Sequence, residues 1–110
     1  HLEPNITLIE LINTFHKMGG KTAIASTARK ENLINAIDYL GLAQYFDLIF
    51  AGIDVKCGKP DPEIYNKVMA ELGVLPSEAL IFEDSDVGVE AAIASHAKYI
   101  RVTDEWYRKI

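Results

Sequence analysis

A single cysteine, Cys57, is all the chain contains, which excludes a disulfide within it and makes a reducing compartment the simpler expectation. Long apolar runs are lacking too. None approaches the roughly 18 residues that a membrane helix needs, and no signal-peptide pattern opens the sequence. The expected location is therefore cytoplasmic, with no membrane partner. Nor is there an excess of positive charge: 16 acidic residues stand against 11 basic ones, spread along the chain for a net charge of -5. That excludes the basic footprint of a nucleic-acid binder. It leaves a phosphorylated small molecule open as a partner, because one local cation or a bound metal outweighs the global sign. His1 rather than methionine comes first, and the expectation is that something precedes it.

What is present suits one domain over residues 1–110, at 49% hydrophobic and 25% charged residues. Leu8, Leu11, Ile12 and Phe15 recur at helical spacing after Asn5 and Thr7, either of which could cap, and Gly19-Gly20 ends the segment. Thr22 to Ala25 is a short apolar run without alternation, the pattern of a strand covered on both faces. Leu33, Ile34, Ile37 and Leu40 make a second helix closed by Gly41, and Asp47 to Ala51 a second strand. After a loop with Gly52, Gly58 and Pro60, a third helix places Ile64, Tyr65, Val68, Met69 and Leu72 inward. Ala79 to Phe82, Val87 to Ser95 and Tyr99 to Val102 follow as strand, helix and strand. His16 and His96 fall in helical segments without a companion ligand and read as structural. Strands and helices that alternate in this way imply an α/β fold with a mainly parallel sheet.

In such sheets ligands bind beyond the carboxyl ends of the strands, and polar residues gather there: Ser26 and Thr27, Lys59, then Glu83, Asp84 and Asp86. Hydroxyls, an amine and carboxylates together are what phosphoryl transfer needs, since the charge of the group lies on its peripheral oxygens. Ser26 and Thr27 precede a helix, whose N-terminus favours an anion; plain capping is the alternative. Lys59 lies between Gly58 and Pro60, where it is either a placed charge or a solvated lysine. Glu83-Asp84 puts two acids directly after a buried strand, an arrangement that a hard cation such as magnesium relieves. The alternative is that both cap the next helix, a task Asp86 could perform unaided. Gly88 permits close backbone approach or a tight turn.

In order, these segments resemble the haloacid dehalogenase superfamily, and within it the beta-phosphoglucomutase-like phosphatases. Ala23-Ile24-Ala25-Ser26-Thr27 looks like its second motif, Gly58-Lys59-Pro60-Asp61-Pro62-Glu63-Ile64-Tyr65 like its third, and Ile81 to Ala92, with Glu83, Asp84 and Gly88, like its fourth. The resemblance implies a three-layer Rossmann-like core whose sheet is incomplete at its N-terminal side. It also implies Ser26, Thr27 and Lys59 on the phosphate, Lys59 and Ser26 as catalytic residues, and Asp84 and Glu83 at a Mg2+ site. The expected reaction is hydrolysis of a small phosphorylated metabolite through an aspartyl-phosphate. Two alternatives stand: a sugar-phosphate mutase and a catalytically silent binding module. The family's first motif, Asp-x-Asp-x-Thr with its nucleophile, and the helical cap have no match in the chain. The resemblance places both in an N-terminal portion, which becomes an expected partner. A receiver domain would need the acids early and the lysine late, the reverse of what is found. A nucleotide-binding Rossmann turn would need glycine between Ser26 and Lys30, where there is none.

Overall fold

The computed structural model of the chain describes residues 2–52, 55–104 and 106–109. In chain order its regular elements are β1 (Leu2–Pro4), α1 (Ile6–Lys17), β2 (Ala23–Ser26), α2 (Lys30–Leu40), β3 (Leu48–Ala51), α3 (Glu63–Leu72), β4 (Leu80–Glu83), α4 (Asp86–Ala94), β5 (Lys98–Arg101) and β6 (Tyr107–Lys109). Asn5 is the cap that α1 uses, its Oδ1 accepting the Leu8 N–H at 3.3 Å. The same residue also donates its own N–H to the Trp106 carbonyl at 3.0 Å, so the entry of α1 is tied to the far end of the chain. There β1 and β6 form an antiparallel pair, which the hydrophobic pattern did not announce. Helices α2 and α3 end on Gly41 and Gly73 at φ of 68° and 70°, the left-handed conformation in which glycine carries no Cβ penalty.

Strand β2 pairs in parallel with β3, Ser26 lying opposite Ala51; β4 pairs in parallel with β5, Glu83 opposite Arg101. The α/β fold with parallel strands therefore forms as expected. It is not one continuous sheet, because no ladder joins β2 to β4 among the described residues. Helix α3 bridges the two pairs instead. Its Ile64, Tyr65, Val68 and Met69 are buried with Phe50, Ala91 and Ala92, and Ala25 of β2 and Ile81 of β4 pack against the same cluster. On the other side Ile9, Ile24, Leu33, Ile37 and Ala51 form a second cluster, closed by Trp106. No helix among the described residues is long and apolar enough to cross a membrane.

One local expectation, the placement of His96, is corrected, and the apolar positions of α1 are only partly covered. On α1, Leu8 and Ile9 are buried, whereas Leu11 and Phe15 are each 53% exposed. The helix packs on one side only; its other side borders an open groove of about 880 Å³ lined by Leu8, Leu11, Phe82 and Val102. His96 lies beyond the end of α4, at a φ of 68°.

Candidate active site

The carboxyl end of β3 leads into the loop that carries Lys59, and this loop is held by acids at the start of α3. Glu63 accepts the N–H groups of Lys56 and Cys57 at 2.9 and 3.0 Å, while Asp61 accepts the Glu63 N–H at 2.9 Å. The Lys56 N–H is the main reason the half-buried Glu63 carboxyl sits below its ordinary value. Cys57, Asp61 and Glu63 consequently converge within 4.8 Å, with Glu63 already committed to the loop backbone.

The loop sets Lys59 on the last residue of β4. Lys59 Nζ lies 2.9 Å from Glu83 Oε2, with the two side chains only 11% and 3% exposed. Tyr65 donates its hydroxyl to the same oxygen, and its ring centroid lies 5.2 Å from the Lys59 ammonium. The other oxygen, Oε1, accepts the Ser85 hydroxyl at 3.1 Å and the N–H groups of Asp84 and Ser85 at 3.1 and 3.3 Å. Burial alone would push the Glu83 carboxyl up. The Tyr65 and Lys59 hydrogen bonds, the Lys59 charge and the Ser85 N–H overcome it and hold the group at about 2.

Asp84 is the next residue and differs in kind. It is half-buried and faces the groove beside β4. Burial, and then the neighbouring Glu83 carboxylate, push its carboxyl above the ordinary value. No Lys, Arg or His among the described residues forms an ion pair with it. A hard cation suits this position: a carboxylate whose charged form is disfavoured by its surroundings, open to a groove that admits further ligands and water. Glu83, expected beside it at the metal, has both oxygens engaged by protein donors.

Ser26 and Thr27 do not cap α2. The cap position is Arg29, which makes no side-chain capping bond, and the Ser26 hydroxyl accepts the Ala28 N–H at 3.2 Å. The first turn of α2 thus lacks a side-chain cap at the carboxyl end of β2. Ser26 lies opposite Ala51 at the carboxyl end of β2, and Lys59 meets Glu83 at the carboxyl end of β4. No hydrogen bond joins Ser26 or Thr27 to Lys59, Glu83 or Asp84 among the described residues. Asp86 is not a cap either; it pairs with Arg101 at 2.6 Å on the surface. Ser85 caps α4, its Oγ accepting the Gly88 N–H at 3.1 Å. Sequence reasoning passed over Ser85 and took Tyr65 for core. A tyrosine on the inner face of a helix carries a hydroxyl that needs a partner when buried, and that was the available signal.

Comparison with known proteins gives this geometry its setting. A phosphorylated carbohydrates phosphatase of Thermotoga maritima is 44% identical over 66% of this chain and 33% of its own length. Pyrophosphatase PpaX of Halalkalibacterium halodurans is 31% identical over 96% of the chain and 55% of its own. Among solved structures, a beta-phosphoglucomutase-like protein of Thermotoga maritima superposes with a TM-score of 0.88 at 34% identity, covering 94% of this chain and 48% of that one. CbbY of Rhodobacter sphaeroides, solved with phosphate, gives 0.80 at 30% identity over 88% and 44%. The chain spans a third to about half the length of these curated relatives. The profile of one family, the haloacid dehalogenase-like hydrolases, matches residues 1–102, and to that family the chain belongs.

Proposed function

We propose that the complete protein is a magnesium-dependent phosphatase of small phosphate esters, and that this chain supplies the phosphate-binding and metal-binding side of its site. The observation that carries the reading is the buried Lys59–Glu83 pair at the carboxyl edge of the strands, directly beside the half-buried Asp84. In this reading Lys59 and Ser26 are catalytic residues that hold the transferring phosphoryl group, with Thr27 and the N-terminus of α2 assisting. Asp84 offers the metal carboxylate. Glu83 holds Lys59 in place, its Oε2 lying 2.9 Å from the lysine Nζ. When bound, magnesium would neutralise charge on the phosphoryl oxygens. The nucleophilic aspartate is assigned to a portion outside the chain. The phosphatase names of the curated relatives support hydrolysis over transfer.

The test uses the complete protein and a panel of sugar phosphates, following phosphate release with and without a chelator. Asp84→Asn is expected to lose most turnover and to weaken magnesium binding by at least about tenfold. Unchanged magnesium affinity and activity would remove Asp84 from the site. Isomerisation of a sugar phosphate without phosphate release would replace the phosphatase by a mutase.

A further inference from the structure

Tyr65 is placed as more than core. It lies on the inner face of α3 at 6% exposure, where a phenylalanine would fill the same volume. Its hydroxyl goes to Glu83 Oε2, the oxygen that Lys59 uses, and the face of its ring lies under the Lys59 ammonium at 5.2 Å. One side chain therefore touches both members of a buried ion pair, each by a different chemistry. The consequence for Lys59 is directional. An ammonium has three N–H donors, and among the described residues Lys59 makes one hydrogen bond, to Glu83. A second donor on the same carboxylate oxygen limits how fully Glu83 can draw the ammonium in, while the ring supports it from below.

We propose that Tyr65 is a positioning residue for anion binding, holding Glu83 and Lys59 so that the remaining ammonium donors point to a phosphoryl oxygen. This rests on the phosphate role of Lys59 proposed above. The effect of such a residue on anion binding passes through Lys59, which separates it from a packing residue: packing is lost equally whether or not the lysine is present.

The experiment is a double-mutant cycle on the complete protein, with orthovanadate as the probe in saturating magnesium. Tyr65→Phe is expected to weaken vanadate binding about tenfold, or about 1.4 kcal/mol, and to leave magnesium affinity unchanged. In a Lys59→Met background the same change is expected to have less than about a twofold effect, since the two act as a unit. Tyr65→Met, which keeps buried volume on a flexible apolar side chain but removes the ring as well as the hydroxyl, serves as the second variant and is expected to lose at least as much vanadate affinity as Phe. An equal loss with and without Lys59, or no loss at all in a protein where Lys59→Met does weaken vanadate, overturns the Tyr65 proposal alone. Unchanged vanadate binding in Lys59→Met overturns the phosphate role of Lys59, and the Tyr65 proposal with it.

Discussion

A Cβ added to Gly88 would lie 1.9 Å from the carboxyl carbon of Glu83 and 2.3 Å from its Oε1. The first turn of α4 is thus hollowed to admit the carboxylate that anchors Lys59. Two effects oppose each other in Gly88→Ala. Alanine in a helix gains about 1 kcal/mol over glycine, whereas overpacking costs about 1–3 kcal/mol and displacing Glu83 from a buried ion pair about 3–5 kcal/mol. The clash wins. Gly88→Ala is expected to lower the urea midpoint and to abolish turnover, and a stabilised, active variant would show that Glu83 is free to move aside.

The same carboxylate gives a prediction for acid. Its value falls from an ordinary 4.5 to about 2 on folding, so its contribution is fully present above about pH 4.5 and is lost as pH falls through 2. The contribution is on the order of 3 kcal/mol. Glu83→Gln is expected to be much less stable than the parent at pH 6, and the gap is expected to close between pH 4.5 and 2. Unfolding curves at several pH values check this. A gap that stays constant down to pH 2 would mean that Glu83 has no depressed ionisation.

How much of this was readable in the sequence depends on the length of the pattern. Helix α3 was legible because Ile64, Tyr65, Val68 and Met69 repeat at helical spacing and Gly73 stops it. Strands β1 and β6 are three residues each, too short for any alternation to register. Helical spacing marks Leu11 and Phe15 on α1 but not what covers them, and each is 53% exposed. For the site, the type and order of Lys59, Glu83 and Asp84 were legible. The different surroundings of the two acids were not, because they depend on donors from Tyr65 and Ser85 that meet only in three dimensions.

Gly52 packs against the turn that carries Ser26 and Thr27. A Cβ there would lie 3.0 Å from the Ser26 carbonyl oxygen and 3.0 Å from Thr27 Cα, both backbone atoms that cannot swing away. Gly52→Ala is expected to cost about 1–3 kcal/mol, more than the 0.4–1 kcal/mol gained from a stiffer unfolded chain. By shifting the Ser26-Thr27 turn it should also weaken vanadate binding to the complete protein, while magnesium affinity stays unchanged. Normal vanadate affinity in this variant would detach that turn from the phosphate site.

The split between β2 and β4 bears on what the 110 residues do alone. Each strand has a ladder on one side only among the described residues, and Leu11, Phe82 and Val102 line an open groove alongside β4. Unpaired apolar edges recruit other strands, so the isolated chain is expected to associate, to unfold readily, or to close the gap by pairing β2 with β4. In each case it should release no phosphate from a small ester. In the proposed site Lys59 and Ser26 hold the phosphoryl group and Asp84 the metal, and none of them is assigned as its nucleophile. Asp86, the other acid after β4, points to the surface, where it is 90% exposed and paired with Arg101. Assay of the purified chain beside the complete protein checks this, with sedimentation to follow association. Adding the proposed N-terminal portion as a separate chain should restore turnover. Magnesium-dependent phosphate release by the 110 residues alone would sink the idea and force Asp84 or Asp86 into the nucleophile's role.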